Sequence, residues 1–202
     1  MVRGYTPYYV FAAIMHRQSL LNLLAAYTPA STYESHVCGV IAHFVREYHD
    51  CFKRELLVGH ITGSAWVVNG TMDKTLLTHH RKLNKWLQLG GHCDGDHDVQ
   101  RVALREAVEE SGIYDIVPHS SDIFDLDIHE IPERRTESSV EPKHFHYDVR
   151  FLFIADEMSP LTITAESKDL RWVALGEVQT LTQEESMLRM VEKTRKASRH
   201  HF

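Results

Sequence analysis

Several things are scarce in this chain. Only three cysteines occur in 202 residues, Cys38, Cys51 and Cys93. They follow no metal-binding spacing, and an odd, sparse count suits a reducing cytoplasm rather than a disulfide scaffold; Cys93 reads as a small packing residue. No apolar run is long enough to cross a bilayer: the earliest, Tyr8 to Met15, falls far short of the roughly 20 residues a spanning helix needs, and it has neither a charged leader nor a small-residue cleavage site. No basic run offers counterion release, and a net charge of −6 argues against a nucleic-acid polymer as partner. It leaves room for a small phosphorylated metabolite, whose charge is met locally. Internal repeats and low-complexity segments are absent too. The expectation is a cytoplasmic protein without membrane attachment. What the chain does have is 43% apolar residues, enough for a core of its own, and fifteen histidines.

The chemistry concentrates after Gly90-Gly91. Residues 99 to 111 fit a helix, with Asp98 as N-cap and Gly112 placed to end it. On that helix Glu106, Glu109 and Glu110 lie at i, i+3 and i+4 and share a face, while Leu104, Ala107, Val108 and Ser111 fall opposite, toward a core. Folding alone does not favour clustered carboxylates. A hard divalent cation does: Mg²⁺ takes one or two carboxylates, keeps waters and bridges to substrate phosphates, and Mn²⁺ accepts the same donors. Arg105 is placed to hold Glu106 in one rotamer.

In order, these residues resemble the signature of the Nudix hydrolases, G-x5-E-x7-R-E-U-x-E-E-x-G-U with U apolar. Gly91, Arg105, Glu106, Ala107, Glu109, Glu110, Gly112 and Ile113 match in register, and His97 stands where the family has its first glutamate. The resemblance implies an α/β/α sandwich, Mg²⁺- or Mn²⁺-dependent hydrolysis of a diphosphate linkage, and Glu106, Glu109 and Glu110 as the metal-binding acids, with Glu106 also a candidate base. Some relatives use a glutamate in the loop before a tryptophan-bearing strand as base, which points to Glu166, upstream of Trp172. A neutral imidazole at position 97 is a poor Mg²⁺ ligand beside carboxylates, so His97 is expected to leave the inner shell one ligand short or to leave its work to Asp94, Asp96 or Asp98 nearby.

Elsewhere the readings are structural or concern substrate. Residues 1 to 57 read as helical, with one helix over Ser19 to Tyr27 stopped before Pro29, and a second, capped by Ser31 or Thr32, from about Tyr33 to Leu56. This pair either packs on the sheet or offers a homodimer surface or lid; packing is favoured, since nothing in it carries chemistry. Ile61 to Val68, Asn69-Gly70 and Lys74 to Thr78 form a hairpin signal. The run His79 to Trp86 brings cations ahead of the glycines, so His80, Arg81 and Lys85 join Gly90, Gly91 and His92 as substrate-binding candidates. Asp122 to Ile131 reads as a strand and Pro132 to Pro142 as a charged, mobile loop. His144 to Phe153 alternates, with His144, His146, Asp148 and Arg150 on one face; His144 and His146 are candidates for a cleft wall. As a zinc site the pair lacks a third ligand in the sequence. A final helix is read over Gln183 to Ala197, capped by Thr182.

Together these features and the resemblance predict an α/β fold, a Nudix-like α/β/α sandwich with a mixed sheet and added N- and C-terminal helices: residues 1–58 a helical extension, 59–181 the hydrolase domain, 182–202 a packing helix. Its expected activity is Mg²⁺-dependent hydrolysis of a nucleoside diphosphate linked to another moiety, such as a nucleotide sugar or dinucleotide. Two alternatives stand beside it: a catalytically impaired module that binds such a ligand, and an isoprenoid diphosphate isomerase.

Overall fold

The computed structural model describes residues 7–135 and 140–199, with side chains from residue 16 onward. Helices α1 (Pro7–Ala26) and α2 (Thr32–Glu47) lead into strands β1 (Gly59–Val68), β2 (Lys74–His80), β3 (Lys85–Leu87) and β4 (Leu89–His92). Helix α3 (Val99–Ser111) follows, then β5 (Val117–Pro118), β6 (Asp125–Ile131), the short pair β7 (Arg134–Arg135) and β8 (Val140–Glu141), and the long β9 (His144–Ile154). β10 (Ser167–Ala174), α4 (Val178–Leu181) and α5 (Glu185–Ser198) complete the chain. Eight strands make one mixed sheet along the path β10-β2-β1-β9-β5, with β3 on β2, β4 on β1 and β6 on β9; β7 and β8 pair separately. β1 and β9 run parallel at its centre and the other pairings are antiparallel.

All ten residues of β1 are buried, as expected of a central strand covered on both sides. Ile61, Ala65 and Val67 face a core shared with α1, α2 and α3, including Leu20, Ile41, Val45, Val102 and Phe151. Trp66 and Val68 face a second core with Leu77, Leu152, Met187 and Met190 under α4 and α5. Trp66 Nε1 donates to Thr194 Oγ1 at 2.8 Å, fastening α5 to the sheet. Phe44 of α2 stacks on Tyr147 of β9, centroids 3.9 Å apart, so the N-terminal pair packs on the sheet. Among the described residues, no helix is long and apolar enough to cross a membrane.

Several local readings change. α1 starts at least twelve residues earlier than read, at Pro7 rather than Ser19. α2, capped by Ser31 through the Glu34 amide, stops at Glu47 instead of running to Leu56. Its backbone is diverted: the Cys51 carbonyl accepts from Ile61 at 2.7 Å and the Phe52 carbonyl from Gly95 at 2.9 Å. The apolar period persists because Cys51 and Phe52 remain buried, now in turns. The β1–β2 loop is not a two-residue turn on Asn69-Gly70. Asn69 braces it, its Oδ1 accepting from the amides of Asp73 and Lys74, and the positive φ falls at Met72. β6 begins at Asp125, later than Asp122. The loop from Pro132 to Pro142 carries the β7–β8 ladder, while Thr136 and Glu137 lie outside the described residues. α5 begins at Glu185 rather than Gln183, with Thr182 Oγ1 accepting from the Glu184 amide.

Candidate active site

α3 is built as the sequence indicates. Asp98 accepts from the Arg101 amide, and Gly112, at φ 74°, closes the helix with its amide on the Val108 carbonyl. Val99, Val102, Ala103, Ala107 and Ser111 are buried, so the acids project from the other side. Arg105 Nη2 donates to Glu106 Oε1 at 2.7 Å and to the His92 carbonyl at 3.1 Å. The guanidinium thus ties the helix carboxylate to the end of β4. Glu110 Oε2 accepts from the Gly90 amide at 3.1 Å. A Cβ on Gly91 would sit 2.5 Å from the Glu106 carboxylate, so a side chain there would displace that carboxylate from its present position. Gly90 has φ 156°, and a Cβ there would meet Ser64 Oγ at 2.4 Å.

These groups face a cavity of about 480 Å³ whose wall includes Glu106, Glu110, Gly90, Gly91, His92, His80, His146 and Glu166. Burial pushes the Glu110 carboxyl up to about 8, against the Gly90 amide, and Glu106 and Glu166 add to the rise. A carboxyl held this way asks for a cation, and with Glu106 beside it the oxygen donors fit a hard divalent metal.

Other predicted residues fall elsewhere. Glu109 is 63% exposed and lies 4.0 Å from Arg105 Nε, at the rim rather than in the wall. Neither Arg81 nor Lys85 lines the cavity among the described residues. Arg81 donates to the Ala165 and Ser167 carbonyls and so braces the loop of Glu166; Lys85 is paired with Glu184 at 2.5 Å on the surface. From that basic run Lys82 lines the cavity instead. His144 does not line it either; its Nδ1 is 2.8 Å from the Pro142 carbonyl. His97 is exposed and faces His16, centroids 6.1 Å apart, outside the cavity.

The polar face of β9, read from the sequence as His144, His146, Asp148 and Arg150, meets partners on β1 and β6 that the sequence reading did not single out. Register places His60 of β1 beside His146 of β9, Thr62 beside Asp148 and Ser64 beside Arg150. From the other side β6 brings His129 to His146, Asp127 to Asp148 and Asp125 to Arg150. Three polar rows therefore cross the sheet. Arg150 is buried and bonds Asp148 at 2.7 Å and Asp125 and Asp127 at 3.2 Å each. Burial works against its charge, but the three carboxylates outweigh it and hold its pKa above the ordinary value. Asp148 also accepts from Thr62 and Ser64 at 2.8 and 2.7 Å. Arg189 and Lys193 of α5 add bonds to Asp125 at 2.8 and 2.7 Å, and Lys193 reaches Glu34 of α2 at 2.8 Å.

The imidazole row is different. His60 lies within 5.0 Å, centroid to centroid, of His92, His144 and His146, and His129 is 5.3 Å from His146. His60 is 2% exposed; neither of its ring nitrogens makes a hydrogen bond of good geometry, nor does Nε2 of His144 or His146, and the Leu56 backbone is only a weak partner of the His60 ring. Burial, then the neighbouring imidazoles His92 and His144, lowers His60 to about 4. Burial followed by His129 and His60 lowers His146 to about 2. The signal for this row was in the sequence: His60, His129, His144 and His146 each sit in an alternating segment, on a polar face that begins His60, Thr62, Ser64. Which rows met which required the register.

The comparisons with known proteins agree with this geometry. No curated protein matches the chain. Among solved structures, a Caenorhabditis elegans Ap4A hydrolase binary complex is similar at 15% identity and TM-score 0.52, covering 70% of this chain and 98% of that one. The Escherichia coli dihydroneopterin triphosphate pyrophosphohydrolase is similar at 14% identity and TM-score 0.50, covering 66% and 92%. A NUDIX-family hydrolase from Clostridium perfringens shares 25% identity at TM-score 0.47, over 68% and 97%. The profile of the NUDIX domain matches residues 60–194, two thirds of the chain, and with the Arg105–Glu106 helix set against Gly90-Gly91 this protein belongs to the Nudix family.

Proposed function

We propose that the chain hydrolyses the diphosphate linkage of a nucleoside diphosphate joined to another moiety, a nucleotide sugar or dinucleotide, with Mg²⁺ or Mn²⁺ as cofactor. The observation that carries this reading is the joint placement of Glu106 and Glu110 on one wall of a polar cavity, fixed by Arg105 and the Gly90 amide. Glu106, Glu110 and, from the rim, Glu109 would hold the cation, which when bound neutralises diphosphate charge and polarises phosphoryl oxygens. Arg105 orients Glu106 while bonding the His92 carbonyl, so it acts as a positioning residue. Lys82, Arg54 and Arg134 line the cavity and suit phosphate oxygens. Glu166 lines it as well, across from the helix acids, and remains the second candidate for taking a proton from water. Residues 59–181 are assigned as the hydrolase domain, with the described helices α1 and α2 of the N-terminal extension and α5 of the C-terminal segment packed on it.

The cavity disfavours the isoprenoid isomerase. Leu83, Leu87 and Ile131 are the only apolar residues lining it among those described, and Cys93 is 1% exposed with its thiol pushed up by burial. The binding-module reading rested on His97, which is outside the cavity. The deciding experiment is product analysis on a panel of nucleotide sugars, ADP-ribose, dinucleoside polyphosphates and nucleoside triphosphates with Mg²⁺. Cleavage of a diphosphate-linked nucleoside is expected, with Arg105→Lys slowing turnover by about 10- to 100-fold at unchanged melting temperature. Ligand binding without product from any panel member would replace the hydrolase with the binding module.

A further inference from the structure

We propose that His60, His92 and His146 form a second metal centre, distinct from the α3 carboxylates, that takes a borderline-soft divalent ion of the Zn²⁺ class in the wall of the same cavity. One potential ligand atom from each of the three lies within 4.8 Å of the other two. The residues come from three neighbouring strands, β1, β4 and β9, where Thr62 pairs with His92 and His60 with His146. The backbones are therefore set by the sheet ladder, and only ring rotation is needed to close toward the roughly 3.4 Å separation of two nitrogens bound to one tetrahedral ion.

Three features point to a ligand rather than to packing. His60 is 98% buried and neither of its nitrogens makes a hydrogen bond of good geometry, nor does Nε2 of His146; buried polar atoms are otherwise almost always satisfied. The flanking imidazoles are arranged as supports. His144, stacked 5.0 Å from His60, has Nδ1 at the Pro142 carbonyl, and His129, beside His146, bonds Asp127 through Nδ1 at 3.2 Å. Five imidazoles this close would repel one another as cations, so the cluster is no phosphate cradle. The donor set also separates two metals. Imidazole nitrogens select Zn²⁺ and its transition-metal neighbours, whereas the oxygens of Glu106 and Glu110 select Mg²⁺ or Mn²⁺.

His92 and His146 line the cavity while His60 sits behind them, so three protein donors leave the fourth position open to the cavity, the pattern of a site that receives a ligand. If the proposed hydrolase reading holds, that position is available to a phosphate or ribose oxygen of the substrate. Arg105 links the two centres through the His92 carbonyl and Glu106.

The test is a titration of the chelator-stripped full-length chain with Co²⁺, without substrate. One equivalent is expected to bind with the intense visible absorption of four-coordinate cobalt, to be displaced by one equivalent of Zn²⁺ and not by excess Mg²⁺. The band should survive Glu106→Gln and vanish in His60→Gln and His146→Gln. A weak six-coordinate spectrum, loss of the band in folded Glu106→Gln, or its survival in both histidine variants would overturn the proposal. Should the histidine variants misfold, long-range ¹H–¹⁵N spectra of the wild type decide: one equivalent of Zn²⁺ must shift three imidazole spin systems, and no shift refutes the site. The panel assay is independent. Cobalt binding without hydrolysis sinks only the hydrolase reading, and hydrolysis without cobalt binding sinks only this one.

Discussion

One face of β9 carries two buried polar clusters that end in opposite states. At the Asp148–Arg150 end every charge is answered: Arg150 meets three aspartates, and Asp125 receives Arg189 and Lys193 as well. At the His144–His146 end, a few residues away, ring nitrogens are left without partners. The two are joined by His129, which bonds Asp127 and packs on His146. The difference separates structural from functional polarity. A closed network, its charges already paired, holds α2, α5 and the sheet together; an open one carries a standing desolvation cost that a ligand can relieve.

The largest effect should come from breaking the closed end. Arg150→Met leaves three buried carboxylates without their central cation, and breaking such a network costs about 3–5 kcal/mol. The unfolding free energy from urea titration should fall by that amount, and a loss under about 1 kcal/mol would show that the network is not closed after all.

Next in size is the acid site beside the histidines. Glu110→Gln should lower Mg²⁺-dependent turnover about a hundredfold, ~2.7 kcal/mol in the barrier, because an amide is a poor Mg²⁺ ligand. The same variant reports on pH. In the metal-free fold Glu110 is raised from 4.5 to about 8, so between those values the folded chain holds a proton that the unfolded chain has released. Its contribution is present below about pH 4.5 and is lost as pH rises toward 8. In chelator, melting temperature should therefore fall more steeply from pH 5 to pH 8 in wild type than in Glu110→Gln. Equal slopes would place Glu110 in water.

Smaller still is the change at the open end. His60→Leu removes two nitrogens that make no hydrogen bond of good geometry and loses only a weak approach to the Leu56 backbone, so metal-free stability should stay within about 1 kcal/mol of wild type or rise. A loss comparable to that of Arg150→Met would make the imidazole row structural. His97→Ala should do least, changing turnover less than about twofold, because the exposed ring lies away from the cavity; a tenfold loss at any Mg²⁺ concentration would bring it back to the metal.

The contrast also explains what was legible beforehand. The α3 helix was readable because it is local: cap, helix face, Arg105 and the closing glycine lie within one short segment, where 3.6-residue periodicity decides which side chains share a face, although not that Glu109 stays exposed while Glu106 and Glu110 line the cavity. The end of α2 was not, because Cys51 and Phe52 keep the apolar period while their carbonyls serve Ile61 and Gly95. The neighbours of Lys85 and Arg81 were not legible either, because a cation near a glycine loop says nothing about its other partners, here Glu184 and the Ala165 and Ser167 carbonyls. His-x-His on β9 lacked a third ligand only along the chain; His60 lies 86 residues from His146 and beside it in the sheet.

By itself, then, the sequence determined the helix that carries the acids, the glycines that let Glu106 approach, and the period-2 polarity of β1, β6 and β9, since each follows from steric and hydrophobic periodicity over a dozen residues or fewer. Strand order and register were decided only by the tertiary structure. Shifting β9 by one residue against β1 would move His146, Asp148 and Arg150 to the other face. The parallel pairing that buries both faces of the central strands holds the observed alignment, and that alignment sorts the polar residues into one closed row of charges and one open row of imidazoles.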